Sequence, residues 1–481
     1  MKKSIKVNAL LNSIRSILYI LFPLISLPYA TRVLGVENIG KVNYVSSIIS
    51  YFSLLAALGI STYAVREGAK VREERKQFQK FANEVFTINL LSTFFTYIIL
   101  ICFVLLVPKI ENYKLLIFLQ SLSIILTTFG VDWVNVIYED YVFITIRGII
   151  AQCISIILLF LLVKNESDYY IYAAITVITN AFISISNHIH CKMYCNIKPT
   201  LHFNLKTHIK PMLVFFANAV TVSIYVNSDI TMLGWIYGDY VVGLYTVAVK
   251  VYSMVKTIIV ALYNTTISRL TFYISNNKEA AYYDLLQKIL KALLLLLMPS
   301  IMGVILLSRD IVFVLAGDEF LESVLTLRIL AVGIFFAVIG GYITSCVNIP
   351  SGYEVVSLKA SVLSAISNVL FNIFMIPMWQ QNGAAITTVV AEAIICIFCI
   401  LKSPVIKKIN FRGMFKSYRD SIVGMILVVF IYVCMSSIEN TFLHLIAVFL
   451  GSVIVYLSYL IIVRNEFVYP TVIRKIRKVR R

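Results

Sequence analysis

Lys250 and Lys256 stand about nine and fifteen residues into an apolar run near 241–267, in company with Tyr245, Tyr252 and Tyr263. At 3.6 residues per turn, Tyr245, Tyr252, Lys256 and Tyr263 share one helical face, and Lys250, Ser253, Thr257 and Asn264 a second. Ammonium groups pair with phosphates, and phenol rings pack on the C–H faces of sugars while their hydroxyls bond to sugar hydroxyls. The preceding run, about 211–236, lines up Asn218, Thr221, Tyr225, Ser228 and Asp229 on one face that ends in an acid. Asn8, Asn12, Arg15, Tyr19 and Ser26 form a similar stripe near the N-terminus, and Ser357, Ser361, Ser364, Asn368 and Asn372 another. Ser and Asn faces serve equally well as glue between helices. Charges inside apolar spans cost roughly 2.5–3.5 kcal/mol each on insertion scales and face a polar interior. The acids in or near spans are Asp132, Glu139, Asp229 and Glu392. A cavity for cationic drugs would be dominated by acids, so the balance favours an anionic, sugar-bearing substrate.

The elements that carry these residues follow from composition. Of 481 residues, 60% are apolar or aromatic and 14% charged, with a mean hydropathy of +0.88. Soluble chains run about 45–50% apolar and about 25% charged, which excludes soluble enzymes and nucleic-acid binders. Apolar runs of the length a bilayer requires predict an all-α polytopic membrane protein of about fourteen helices. They fall near 8–30, 41–65, 82–107, 113–131, 141–163, 169–189, 211–236, 241–267, 286–307, 323–346, 355–378, 383–402, 421–437 and 441–463. The short thirteenth run leaves twelve spans with a re-entrant tail as the competing count. Three segments are expected: 1–205 with six spans, 206–405 with six more, and 406–481 with the last pair and a basic tail.

Charge tests the count. With the N-terminus inside, 33 of the 42 Lys and Arg fall on cytoplasmic flanks. Seven lie outside, at Arg32, Lys41, Lys109, Lys114, Lys164, Arg309 and Arg328, and two within a span. The positive-inside rule therefore places both termini in the cytoplasm. The net charge of +18 reads as topology and attraction to anionic lipid, with Arg474–Arg481 as a lipid-facing tail and no nucleic-acid partner expected. The eight cysteines suit small buried hydrophobes and reduced thiols. His188, His190, Cys191, Cys195, His202 and His208 cluster in one inner region, but their spacing matches no defined zinc site, so no metal is expected.

The chain repeats itself. Ala30-Thr-Arg32-Val-Leu-Gly35, then Gly40 and Tyr44, has a counterpart in Ile230-Thr-Met-Leu-Gly234, then Gly243 and Tyr245. Two six-span halves form a transporter pattern, with substrate held near the midplane and access alternating as the halves rock. The outer loops are too short to carry a polymerase or ligase acceptor site, and there is no G-x-x-x-x-G-K-[ST] sequence. Transport then runs on an ion gradient, membrane potential or downhill flow.

The stretch Tyr29–Lys41, followed by Gly59-Ile-Ser-Thr-Tyr-Ala-Val-Arg66-Glu-Gly, resembles the Wzx-type polysaccharide flippases of the multidrug/oligosaccharidyl-lipid/polysaccharide superfamily. Asp132-Trp133, Glu139 and Arg147 resemble that family's fourth-to-fifth span motif, and Asp229–Gly234 with Gly243–Lys250 its seventh-to-eighth. The resemblance implies two six-helix lobes in a V around a central cavity, with two helices appended. It implies carriage of an undecaprenyl-diphosphate-linked oligosaccharide across the bacterial inner membrane for O-antigen or capsule, coupled to Na+ or H+. A polymerase and a chain-length regulator would be partners, and the protein would need no other cofactor and act as a monomer. Arg32, Arg66, Asp132, Glu139, Arg147, Asp229 and Lys250 are the positions the motifs carry over. Lys256, Arg15, Asn368, Asn372 and the tyrosines come from periodicity, and Glu392 from being an acid within a span. A multidrug antiporter, a lipid II flippase and a membrane glycosyltransferase are the alternatives.

Overall fold

The structure is a computed structural model that describes residues 5–201, 203–409 and 414–470, with side chains from Leu21 onward. It is helical throughout, with no strand among the described residues. Two compact units divide it, Met1–Gly243 and Leu244–Arg481.

The first unit holds α1 (Ile5–Ala57), α2 (Ile60–Val71), α3 (Arg75–Leu106), α4 (Lys114–Gly130) and the short α5 (Trp133–Ile137). It continues with α6 (Tyr141–Leu162), α7 (Tyr169–Cys191), α8 (Leu205–Tyr237) and the first turn of α9 (Asp239–Asn264). The expected first two spans are one rod in α1, broken only at Gly35, whose φ of 72° and ψ of 174° leave the helical region. Pro23 and Pro28 lie inside the helical stretch before that break, so the change of direction belongs to glycine, which alone takes such torsions freely. The span expected to reach residue 65 ends at Ala57. Leu58 and Gly59, both with positive φ, turn the chain into the amphipathic α2.

The second unit contains the rest of α9, then α10 (Ile267–Ser275), α11 (Glu279–Leu306), α12 (Ser308–Ala316) and α13 (Ser323–Tyr342). α13 runs on as a π-helical turn, Ile343–Asn348. After it come α14 (Glu354–Lys402), α15 (Phe415–Cys434) and α16 (Thr441–Ile462). α14 is a hairpin of two spans, broken at Trp379 and Gln380. Its arms meet through Ser364, whose hydroxyl donates to the Ala391 carbonyl at 2.8 Å, and through Thr387, which donates to Asn372 Oδ1. The last pair is not re-entrant. α15 packs on α11, with Ser421 donating to the Leu294 carbonyl at 2.6 Å, and Tyr456 of α16 donates to the Leu295 carbonyl at 3.0 Å. Among the described residues, twelve helices are long and apolar enough to cross a membrane. Two of them contain a break and cross twice, which gives fourteen crossings of a multi-pass membrane protein.

The repeated glycines have a direct use, because the two copies of the motif pack on each other within the first unit. A Cβ on Gly40 would overlap the Asp239 carbonyl, one on Gly243 the Val36 carbonyl, and one on Gly234 the ring of Tyr44. Small residues let helix backbones approach this closely where lipid offers no hydrophobic drive for association. Tyr113 clamps the crossing, donating to both carboxylate oxygens of Asp239 at 2.8 and 2.9 Å.

Gly40→Ala and Gly243→Ala should each cost at least the roughly 1–3 kcal/mol typical of overpacking, seen as a lowered melting temperature or a lost monodisperse peak in detergent. Gly303→Ala, which adds a Cβ in open space, should behave as the parent does. Equal stability of all three variants would remove the crossing as a constraint.

Candidate functional site

In the second unit, the face of α9 read from periodicity packs against the second arm of α14. Tyr252 donates to Glu392 Oε1 at 2.9 Å, and Lys256 Nζ reaches the same oxygen at 3.0 Å. The ammonium also lies 5.2 Å from the Tyr252 ring centre. Glu392 is 93% buried at its side chain while Lys256 keeps a third of its own exposed. Two turns before Tyr252 on α9, and one turn before Glu392 on α14, the hydroxyl of Tyr245 lies 3.2 Å from that of Thr388. Tyr263 is buried and meets Tyr342 edge-on with ring centres 6.3 Å apart. Asn372 donates to Asn368 at 3.3 Å, so these two amides are tied into the α14 hairpin. Lys250 is half-buried and has no carboxylate within ion-pair distance among the described residues.

In the first unit, Arg147 of α6 is buried, and its Nη1 pairs with Asp132 Oδ1 at 3.0 Å. Asn187 of α7 donates to the same oxygen at 3.1 Å and accepts from Asn135 at 3.0 Å. The backbone turns into this cluster at Val131, held at φ 41°, an unusual conformation for a β-branched residue. Asp132 is about half exposed and opens on a cavity of about 240 Å³ lined by Ser61, Asn89, Thr128, Ser184 and Asn187. The Nε of Arg147 is buried without a hydrogen-bond partner among the described residues. Asp229 is buried in α8, two residues before Thr231, whose hydroxyl lies 2.9 Å from that of Ser47.

Other predicted positions stand apart from these clusters. Arg32 is exposed and donates to its own helix at Pro28. Arg66 pairs with neighbouring Glu67 at 3.2 Å and lies over the Phe215 ring. Glu139 pairs with Arg72 at 3.0 Å on the surface. Arg328 donates to Ser308 at 2.8 Å. The side chain of Arg15, residue His202 and the tail Arg474–Arg481 lie outside the described residues. The His/Cys cluster divides among separate partners. His190 pairs with Asp140 at 2.9 Å, His208 with Glu84 at 2.8 Å, and Cys191 donates weakly to the Cys195 carbonyl. Burial, then the hydrogen bond to Asp140, holds the Tyr194 phenol far above its usual range, so it remains a donor.

Reasoning from sequence missed Glu84, Asn135, Asn187 and Asp140. Each is held by a side chain from a segment fifty or more residues away, which a helical-face reading of its own run does not show.

The chain and its fold have counterparts. The chain matches the family described as polysaccharide biosynthesis protein over residues 5–267. Two relatives carry the name "Putative O-antigen transporter". The one from Shigella dysenteriae is 24% identical over 394 residues, 79% of this chain and 95% of the relative. The one from Escherichia coli (strain K12) is 20% identical over 378 residues, 78% and 91%. Among solved structures, the lipid II flippase MurJ in an inward closed conformation superposes with a TM-score of 0.76 at 16% identity, covering 94% of this chain and 98% of that one. An inward-facing multidrug resistance MATE family transporter of the MOP superfamily gives 0.61 at 14% identity, covering 83% and 95%. At such identities the structures speak for the fold alone. The matched stretch takes in α1 through α9 and so every motif glycine of both copies, and the chain belongs to the polysaccharide biosynthesis protein family.

Proposed function

We propose that the protein is a flippase that carries an undecaprenyl-diphosphate-linked oligosaccharide from the cytoplasmic to the outer leaflet of a bacterial inner membrane. The O-antigen transporter names of its relatives support that reading. The observation that carries it is Lys250. A lysine within a membrane-spanning helix is costly, and this one has no protein carboxylate beside it among the described residues. An anionic ligand such as a diphosphate is the partner such a group would serve. Lys256 is poised differently, since a ligand phosphate would compete with Glu392 for its ammonium. The buried tyrosines of α9 brace this lysine face, and Arg147 is a further cation for the same class of ligand.

Access alternates between the two leaflets, driven by Na+ or H+, with Asp229, Asp132, Glu139 and Glu392 as the acids available to bind the coupling ion. Both termini face the cytoplasm, the chain works as a monomer, and a polymerase with its chain-length regulator receives the product.

In a deletion strain complemented with variants, Lys250→Gln and Lys256→Gln should abolish surface polymer at unchanged protein level. Wild-type polymer in both would remove these lysines from the site. Asp229→Asn should reduce gradient-driven transport in vesicles, whereas unchanged pH and sodium dependence would exclude it from coupling. Lys256→Gln and Glu392→Gln should each lower thermal stability, and the double variant should recover part of the loss. Their coupling should be about 0.5–3 kcal/mol, and strict additivity of the two losses would show that the pair holds nothing together.

A further inference from the structure

Three side chains distant in sequence meet at the N-terminal end of α8. Tyr63 of α2, Glu84 of α3 and His208 of α8 are 3%, 7% and 6% exposed. The Tyr63 hydroxyl lies 2.6 Å from His208 Nδ1, and His208 Nε2 lies 2.8 Å from Glu84 Oε2. Phe81 and Trp133 complete the apolar wall, with Phe81 5.9 Å from the imidazole and 6.5 Å from Trp133 between ring centres. The other charged groups nearby are few. Lys80 of α3 stands 4.0 Å from Glu84 Oε1 with 79% of its side chain exposed. Glu67 of α2 acts on Tyr63 but is engaged by Lys70 and Arg66. Lys206 and Lys210, on the helix of His208 itself, are exposed. Nothing in the proposed transport cycle uses this cluster.

Its hydrogen bonds distinguish two protonation states. With a neutral imidazole carrying its proton on Nε2, His208 donates to Glu84 and accepts the Tyr63 hydroxyl at Nδ1, so all three groups are satisfied around one negative charge. One further proton makes Nδ1 a donor. The imidazolium and Glu84 then form a neutral, charge-assisted pair, while the Tyr63 hydroxyl loses its acceptor. Imidazole is the side chain whose charge ordinarily changes between about pH 5 and 8.

The cluster also sits where a small change in grip matters. α8 is buried at its two ends, by His208 and Met212 at one and by Ser228, Asp229, Leu233 and Gly234 at the other. Between them Leu213, Val214, Val222 and Val226 are 47–67% exposed. The N-terminal hold is close, since a Cβ on Gly59 would stand 2.5 Å from the Phe216 nitrogen.

We propose that Tyr63, His208 and Glu84 form a proton-binding site which, as it fills, shifts the hold on the N-terminal end of α8 from α2 to α3. The site rests on the proposed transport function only in making the proton the coupling ion.

The test uses the full-length protein in lipid nanodiscs with ring-labelled histidine, of which there are five, followed by NMR from pH 5 to 9. The His208 resonance is identified by its loss in His208→Gln, or from a variant keeping His208 alone should that protein not fold. It should titrate within the range. Glu84→Gln removes the acceptor that favours the charged ring and should move the midpoint to lower pH. Tyr63→Phe removes the donor that favours the neutral ring and should move it to higher pH. Amides around Tyr63 should exchange faster below the midpoint than above it. A flat His208 resonance, or midpoints that move together or not at all, would overturn the site. Wild-type vesicles that move no lipid-linked glycan, with the titration as expected, would instead overturn the transport reading and leave the proton site standing.

Discussion

Most of the charges carried into this apolar bundle, Lys250 apart, are met by a partner from another segment, and that requirement organises both units. Arg147 meets Asp132, Lys256 meets Glu392, and His208 meets Glu84. His444 of α16 meets Asp310 of α12 at 2.6 Å. Asp420 at the start of α15 accepts from Arg419, Tyr459 and Asn465. An ion pair buried in hydrocarbon gains little net energy over an apolar pair of the same shape, yet removing one partner leaves an uncompensated charge that costs several kcal/mol. These pairs therefore act as registration pins. They say less about how stable the bundle is than about which helix must lie beside which.

Glycine does the complementary work where no side chain fits. The crossing of Gly40, Gly234 and Gly243 sets backbone against backbone, and the hairpin in α14 does the same at Gly383, where a Cβ would overlap the Met375 carbonyl. Both lie next to breaks in otherwise continuous helices, at Gly35 and at Trp379–Gln380. A break frees backbone groups that lipid cannot satisfy, so it is tolerated only where another segment packs close enough to shield it. That is why the motif pairs each turn with small residues.

Much of this was legible in the sequence, and the limit has a physical origin. Apolar runs and loop charge yield fourteen crossings, and the period of 3.6 yields the Tyr252–Lys256 face. Continuity was not legible, because a hydropathy window sees Gly35 and the Trp379–Gln380 break as loops when each is one or two residues inside a rod. Pairing was not legible either. Periodicity reports which residues share a face but not which neighbour that face meets, so Glu392 could be singled out as an acid in a span without being joined to Lys256, 136 residues away. His208 was read with nearby cysteines because they are close in sequence, whereas its partners come from α2 and α3.

The pairs differ in how wet their members are, and that bears on which of them can take part in transport. Arg147 is 6% exposed and Asp132 54%, while Glu392 is 7% exposed and Lys256 33%. A pair sealed on both sides cannot exchange its partner without stranding a charge, but a wet member can turn to another counter-ion; when Lys256 does so, Glu392 keeps the Tyr252 hydroxyl as a donor. In the first unit the wet member is a carboxylate, facing a cavity edged by hydroxyls and amides. In the second it is an ammonium, backed by tyrosines. On the proposed function, a carboxylate that can change partners is suited to a passing cation, and an ammonium that can change partners is suited to a phosphate. On that proposal, the opposite polarity of the two wet members would give a coupling ion and a lipid-linked glycan different places to bind, which an exchanger needs if one is to be bound while the other leaves.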